Sequence, residues 1–133
     1  MKTVFLSGPM VGIKREEGMG WRNEISRILE NRFRILSPYR GRESKETFSN
    51  PKCAVVRDKS DIRTSDIVIV NDSFENVSMI GTSMEILYAY ENEKTIIAFG
   101  GNHRGNYWLD YHLTTRVETL EEACNLCLRL YHD

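Results

Sequence analysis

One segment constrains the fold of this chain more than any other: the unbroken apolar run from Ile67 to Val70, flanked by Asp66 and Asn71. A strand with one face in solvent alternates apolar and polar residues, whereas this run has no polar position. It therefore predicts a strand that is buried on both faces. Such strands are typical of a parallel sheet covered by helices on each side.

The rest of the chain alternates between strand and helix patterns. Further strands are predicted at 3–7, 33–36, 95–99 and 114–117, and helices at 18–31, 52–64, 78–92 and 119–131. Thr119 and Glu122 form a capping box at the start of the last helix. The stretches 39–51 and 100–112 lack periodicity and are predicted as loops. Together these segments predict a single α/β domain spanning 1–133, with right-handed crossovers between parallel strands.

The apolar spacing also predicts which side of each helix faces the core. The expected inward residues are Trp21, Ile25, Ile28 and Leu29 in the first helix, Val55, Val56 and Ile62 in the second, and Met84, Leu87, Tyr88 and Tyr90 in the third. In the second predicted loop, Trp108 and Tyr111 have two equal interpretations. They either stack on a planar group of a bound ligand or pack against the last helix.

Composition excludes several classes of function. The net charge is -1, with 18 basic and 19 acidic residues, so no broad field attracts a nucleic-acid polymer or an anionic membrane. An odd number of cysteines, 3, argues against a disulfide scaffold and favours a reducing cytoplasm. The CxxC at 124–127 falls in mid-helix and the histidines lack ligand spacing, so no metal or cofactor is expected.

Ligands of open parallel sheets bind beyond the carboxyl ends of the strands. This rule nominates the turn at 7–12, the segment 71–81 and the loop after the fourth strand. Glu85 lies about one turn into the predicted helix 78–92, which follows the third strand, and its carboxylate can point back into the cleft. Asp58, and also Asp61, could supply the second carboxylate that glycosidic cleavage needs, although spacing alone favours ordinary surface charges.

These residues together resemble a known family, the nucleoside 2-deoxyribosyltransferases, which includes the 2'-deoxynucleoside 5'-monophosphate N-glycosidases. The resemblance is carried by the run 4–9, by Asp58 before the strand that Asp66 opens, and by Gly81-Thr82-x-x-Glu85, and it extends to about residue 99. It implies a flavodoxin-like three-layer fold with a five-stranded parallel sheet in the order 2-1-3-4-5. It also implies an enzyme without a cofactor that acts as a homodimer or higher homo-oligomer.

The resemblance assigns roles to particular residues. Glu85 matches the family's nucleophile, and Asp58 matches its general acid or base-orienting aspartate. The substrate-binding positions that it implies are Phe5, Ser7, Gly8, Pro9, Asn71, Ser78, Gly81 and Thr82. Phe5 stands where some members place a tyrosine beside the nucleophile. Because phenylalanine packs on a sugar but donates no hydrogen bond, the nucleophile must be positioned differently here.

The expected substrate is a small nucleoside or nucleotide together with a free base. Pro9 and Val11 stand where monophosphate-specific relatives carry polar or basic residues, which favours a 2'-deoxynucleoside and transfer of its 2-deoxyribosyl group to another base. Groups that could nevertheless hold a phosphate are Ser7, Ser65, Ser78, Thr82, Ser83, Arg15, Arg40 and Arg42. The alternatives are therefore a 2'-deoxynucleoside 5'-monophosphate N-glycohydrolase and a non-catalytic nucleotide-binding module.

Overall fold

The computed structural model describes residues 1–40 and 48–132. Within them, strands and helices alternate along the chain. Their bounds are β1 Lys2–Ser7, α1 Arg15–Leu29, β2 Phe33–Leu36, α2 Pro51–Thr64, β3 Ile67–Asn71, α3 Ile80–Glu91, β4 Thr95–Phe99, α4 Tyr107–His112, β5 Thr115–Val117 and α5 Leu120–Leu130. Most of the predicted loop at 39–51 lies outside the described residues, and the helix after it begins at Pro51.

The five strands form one sheet in the order β2-β1-β3-β4-β5, and every neighbouring pair is parallel. This confirms the predicted sheet and its strand order. β3 occupies the centre, and all five of its residues are buried. The apolar run that defined it in the sequence is therefore explained by helices covering both faces of the sheet.

The helices form two layers, one on each face of the sheet. Because side chains alternate along a strand, Val4 and Leu6 of β1 join the core beneath α1 and α5, whereas Phe5 joins the core beneath α2, α3 and α4. Ser7, two residues after Phe5, projects to the same side as Phe5 and contacts α3. The result is the three-layer flavodoxin-like fold that the resemblance implied.

The predicted inward faces of two helices were partly wrong. Val55 and Val56 of α2 are 57% and 65% exposed, although Ile62 is buried as expected. In α3 the residues against the sheet are Thr82, Ile86 and Ala89, while Met84 and Leu87, with Tyr90, are substantially exposed. Apolar side chains surround most of α3, so hydrophobicity alone does not distinguish the face that packs on the strands.

The loop predicted at 100–112 contains a short helix, α4. Asn106 caps it, since its side-chain oxygen accepts a hydrogen bond of 3.1 Å from the backbone of Leu109. Six residues are too few for a helical period to be visible in the sequence. Trp108 and Tyr111 lie on the outer side of this helix, exposed by 77% and 69%, and do not pack against α5. No helix in the described ranges is long and apolar enough to cross a membrane.

Candidate active site

A cavity of about 370 Å³ lies between α2 and α3, on the face of the sheet that Phe5 and Ser7 share. Both candidate carboxylates, Asp58 from α2 and Glu85 from α3, line it. Within the described parts of the chain, the lining residues are Val55, Asp58, Lys59, Ile62, Gly81, Met84, Glu85, Leu87, Tyr88 and Glu91. The cavity is thus mainly apolar, and three acidic groups from two different helices line it: Asp58 of α2, and Glu85 and Glu91 of α3.

The fold explains why these carboxylates meet. α2 and α3 pack side by side as the crossovers on each side of β3, so residues near the middle of each helix face a common groove. Gly81, one turn before Glu85, also lines the cavity, and a Cβ added there would meet no atom within 4 Å. The start of α3 is therefore open enough for a ligand to approach Glu85.

Ser7 holds the carboxylate of Glu85 directly. Its hydroxyl donates a hydrogen bond of 2.6 Å to Oε1 of Glu85, and Ser7 itself is fully buried at the carboxyl end of β1. A hydroxyl therefore reaches Glu85 even though Phe5 cannot supply one. The donor comes from two residues further along the same strand, on the same face of the sheet.

The environment of Glu85 shifts its acidity strongly. Burial raises the pKa of Glu85 to about 7, and the nearby charge of Asp58 adds to this rise. The hydrogen bond from Ser7 and the positive charge of Arg22 act in the opposite direction. A carboxyl that titrates near neutral pH is a common feature of catalytic sites, because it can change protonation state under working conditions.

The raised pKa makes a prediction about stability. A carboxyl that binds its proton more tightly when folded contributes stability below its unfolded pKa, here near 4.5, and loses that contribution as pH rises through about 7. Glu85→Gln has no buried carboxyl to ionise, so it avoids the loss of stability that wild type shows at high pH. We therefore expect the variant to be more stable than wild type by about 1–3 kcal/mol at pH 8. Urea unfolding at pH 4 and pH 8 measures the difference, which should nearly vanish at pH 4.

A second prediction concerns Ser7. Ser7→Ala removes a hydrogen bond to the ionised form of Glu85, so the pKa of Glu85 should rise further. If Glu85 acts ionised, the rate at pH 6.5 should fall roughly 3- to 10-fold and should recover at pH 9. A pH–rate profile of kcat measures this. An equal loss at every pH would show that Ser7 does not act through the ionisation of Glu85.

The other predicted substrate-binding residues lie outside the cavity lining. Phe5 has no exposed surface and packs in the core with Leu36, Ile62 and Val68, so the expectation that it packs on a sugar is corrected. Asn71 alternates onto the opposite face of β3 and accepts hydrogen bonds from Ser73.

The remaining predicted positions surround the ends of β1 and α3. Gly8 and Pro9 are buried in the turn after β1, and Thr82 is buried on the sheet side of α3. Ser78 is exposed just before α3, where its hydroxyl oxygen accepts a hydrogen bond of 3.3 Å from the backbone of Ile80. The structure therefore brings together Asp58, Glu85 and Gly81, with Ser7 in contact with Glu85.

Two features that the sequence left open have structural explanations. Asp61 is almost buried and forms a bidentate ion pair with Arg40, at 2.6 and 2.9 Å, and so does not serve the cavity. Cys124 and Cys127 are buried free thiols in the core beneath α5, where burial raises their pKa values to about 11 and about 12. Thiols this weakly acidic are poor nucleophiles and poor metal ligands.

One charged residue near Glu85 was not singled out from the sequence. Arg22 is only 2% exposed, lies on the buried face of α1 and acts electrostatically on Glu85. The signal was present, because Arg22 follows Gly18 by four residues and precedes Ile25 by three, which places it on the inward stripe. A charged residue on an apolar stripe is rare enough to mark a site.

No family model and no curated protein matches this sequence. Solved structures do resemble its fold. A 2-deoxyribosyltransferase from Bacillus psychrosaccharolyticus is 16% identical with a TM-score of 0.74, over 92% of this chain and 90% of that one. A 2-deoxyribosyltransferase from Leishmania mexicana is 19% identical with a TM-score of 0.72, over 100% of both chains.

A CMP N-glycosidase from Clostridium botulinum is also similar. It is 21% identical, with a TM-score of 0.63 over 98% of this chain and 100% of that one. The chain therefore shares its fold, across nearly its whole length, with enzymes that transfer or cleave glycosyl groups of nucleosides and nucleotides. This is the flavodoxin-like fold that the sequence resemblance implied.

Proposed function

We propose that this protein cleaves the N-glycosidic bond of a 2'-deoxynucleoside through Glu85 and transfers the 2-deoxyribosyl group to another base. One observation carries the proposal. Glu85, which Ser7 holds by a hydrogen bond and whose pKa burial raises to about 7, shares a ligand-sized cavity with Asp58. The fold shared with 2-deoxyribosyltransferases supports this assignment of the chemistry.

The reaction follows from the roles of the two carboxylates. The ionised carboxylate of Glu85 attacks C1' of the sugar while the bond from C1' to the base nitrogen breaks. Asp58 delivers a proton to the departing base, directly or through water, so that the base leaves as a neutral molecule. The transition state resembles an oxocarbenium ion, and the nearby negative charge stabilises it.

The second half of the reaction reverses the first. A nitrogen of the incoming base attacks C1' of the glycosyl ester, the bond from C1' to the Glu85 oxygen breaks, and Asp58 accepts the proton from the base. Two displacements at C1' retain its configuration. A 2-deoxy sugar suits this route because no 2'-hydroxyl withdraws electrons from the developing cation.

The charge of the cavity favours a nucleoside over a monophosphate. Among the residues that the structure describes, its lining contains three carboxyl groups, those of Asp58, Glu85 and Glu91, and one ammonium, that of Lys59. Lys59 lies over the ring of Tyr88, with its Nζ 4.6 Å from the ring centroid. A phosphate dianion placed here meets more repulsion than attraction.

The arginines considered for phosphate binding give little further support to a monophosphate. Arg40 is committed to Asp61, and the guanidinium of Arg15 lies 5.3 Å from the ring centroid of Tyr39. Arg42 lies outside the described residues.

The alternative activity, hydrolysis of a 2'-deoxynucleoside 5'-monophosphate, is favoured by the similarity to the CMP N-glycosidase.

One experiment separates these activities. The protein is incubated with 2'-deoxynucleosides and their 5'-monophosphates, each with and without a foreign free base, and the products are identified by liquid chromatography and mass spectrometry. We expect a new deoxynucleoside that carries the foreign base. Free base with deoxyribose 5-phosphate would support the hydrolase instead. Binding without turnover that survives Glu85→Ala would support a non-catalytic nucleotide-binding module.

We also propose that two copies of this chain associate through the outer sides of α3 and α4. This α3–α4 surface exposes Ile80, Met84, Leu87, Tyr90, Tyr107, Trp108 and Tyr111. Exposed apolar patches of this kind mark interaction sites. Met84 and Leu87 belong both to this surface and to the lining of the cavity, so a second subunit here would add a wall to the site.

The oligomeric state is directly testable. Trp108→Glu replaces the exposed indole of the α3–α4 surface with a negative charge. We expect light scattering coupled to size-exclusion chromatography to report a monomer for this variant. Leu130→Glu is the control, because it introduces the same charge at an exposed apolar residue of α5, and it should leave the oligomer intact. A wild-type protein that is monomeric at 100 µM, a concentration on the order of a weak interface's dissociation constant, would refute the proposal.

A further inference from the structure

Arg22 is one of the largest fully buried side chains among the described residues, and it is charged. Its guanidinium donates three hydrogen bonds to backbone carbonyls: Nη1 to Gly18 at 2.7 Å, Nη2 to Gly8 at 3.0 Å and Nε to Leu6 at 3.4 Å. Burial lowers the pKa of Arg22 to about 10, so the group stays positive at neutral pH. The chain therefore keeps a full positive charge out of water.

The surrounding residues are shaped to hold this guanidinium. Its central carbon lies 4.3 Å from the ring centroid of Trp21 and 5.1 Å from that of Tyr39. A Cβ added to Gly18 would lie 2.1 Å from the Tyr39 hydroxyl, and one added to Gly8 would lie 2.7 Å from Cζ2 of Trp21. Two glycines thus make room for the two rings that flank the guanidinium.

The carbonyl partners of Arg22 have a specific location. Leu6 and Gly8 stand immediately before and after Ser7, whose hydroxyl donates to Glu85. By binding both carbonyls, the guanidinium fixes the backbone on each side of Ser7. The position of that hydroxyl therefore depends on a residue of α1, which lies on the opposite face of the sheet from Glu85.

Arg22 also has an electrostatic connection to the cavity. Carbonyl groups solvate a cation but do not neutralise it, and a buried charge is costly without an opposite charge nearby. The carboxylates that act on Arg22 are those of Glu85 and Asp58, together with the phenol of Tyr39. Besides Ser7 and Arg22, the polar groups around Glu85 are Asp58 and Lys59 from α2 and Tyr88 and Glu91 from α3.

We propose that Arg22 is a positioning residue for Glu85: it fixes the turn that aims Ser7 at the carboxylate, and it supplies a buried positive charge that favours the ionised form. The catalytic consequence rests on the proposed function. The geometric and electrostatic parts do not, because they concern the protein without substrate. Among the described residues, the hydrogen bonds of Arg22 go to Leu6, Gly8 and Gly18 and none goes to the cavity lining, so we expect it to act through Ser7 and through its field.

Three variants separate charge from geometry. Arg22→Met removes both, Arg22→Lys keeps the charge but cannot span the carbonyls of Leu6 and Gly8, and Arg27→Met removes an exposed charge from the same helix as the matched control. The titration of Glu85 is followed by ¹³C NMR of its carboxyl carbon in protein labelled at glutamate. The signal is assigned by its loss in Glu85→Gln.

We expect the pKa of Glu85 to rise most in Arg22→Met. It should rise less in Arg22→Lys, where the charge stays but the Ser7 hydrogen bond is weakened, and should stay near the wild-type value in Arg27→Met. A rise of one unit lowers the ionised fraction at acidic pH about tenfold, so kcat at pH 6 should fall by about that factor in Arg22→Met. Arg22→Lys should lower kcat at pH 6 by a smaller factor, roughly 3-fold, and this loss should disappear at pH 9, since the loosened Ser7 turn acts through the ionisation of Glu85. KM should change little in either variant.

Arg22→Gln is a second neutral variant, able to keep one carbonyl hydrogen bond if the methionine variant does not fold. An unchanged titration of Glu85 in a folded neutral variant would overturn the proposal, and so would an equal shift in Arg27→Met. The titration requires no turnover. The wild-type protein could therefore prove inactive while the pKa of Glu85 still shifts in Arg22→Met. That result would support the role of Arg22 and contradict the proposed function.

Discussion

Glu85→Gln is expected to lower turnover by about 10⁴-fold or more, which is the largest effect that the structure predicts. The amide is close in shape to the carboxylate and can still accept a hydrogen bond from Ser7. It cannot form a stable ester with C1' of the sugar. Steady-state rates with the best substrate of the nucleoside panel, measured at pH 8 where wild-type Glu85 is mostly ionised, test this loss.

A matched control shows whether the loss is specific. Glu17→Gln makes the same change on the exposed side of α1, far from the lining of the cavity, and should keep the wild-type rate. Binding of substrate should survive in Glu85→Gln, because the change removes chemistry and little volume. Activity of Glu85→Gln within tenfold of wild type would refute the role of Glu85 as nucleophile.

Asp58→Asn is expected to lower kcat by about 10²- to 10³-fold, the second-largest effect. Without a group that can deliver a proton, the base must leave as an anion. The loss should therefore be smallest for substrates whose bases are good leaving groups. A comparison of kcat across deoxynucleosides with bases of different acidity measures this dependence, and a loss of the same size for every base would argue against proton delivery by Asp58.

Asp61→Asn is the appropriate control for Asp58, since it lies on the same helix three residues away. This change breaks the pair with Arg40 and should reduce stability by about 1–3 kcal/mol. The rate should be preserved at temperatures where the variant is folded. Asp58→Asn should show the opposite pattern, with a lower rate and a stability near that of wild type. Urea unfolding and kinetics on both variants give the two comparisons.

The sequence predicted the sheet well because its signal is local. β3 consists of the apolar run Ile67 to Val70 followed by Asn71, and β2 and β4 begin and end at the predicted residues. The pattern of α3 was less informative. Its outer side carries Met84 and Leu87, whereas the residues that contact the sheet include the small residues Thr82 and Ala89. Small residues allow close helix–strand packing, which hydrophobic periodicity does not encode.

The candidate site was only partly predictable, for a related reason. The rule for open sheets nominated Glu85, whereas Asp58 was assigned a role only through the family resemblance. The contact of Ser7 with Glu85 joins residues 78 positions apart and depends on the register between β1 and α3. The burial of Arg22 depends on two glycines that leave space for Trp21 and Tyr39. A local sequence pattern does not show which side chains far apart in the chain will fit together in the folded protein.

The central claim is that the carboxylate of Glu85 bonds covalently to the anomeric carbon of the sugar. A deoxynucleoside analogue with fluorine at the 2' position tests it most directly, since fluorine destabilises the oxocarbenium-like transition state and slows breakdown of the ester. After incubation and proteolysis, mass spectrometry should find the fluorinated sugar on the peptide that contains Glu85, and adding a free base should release it. Turnover of the natural substrate without any such adduct, or an adduct on another residue, would contradict the account.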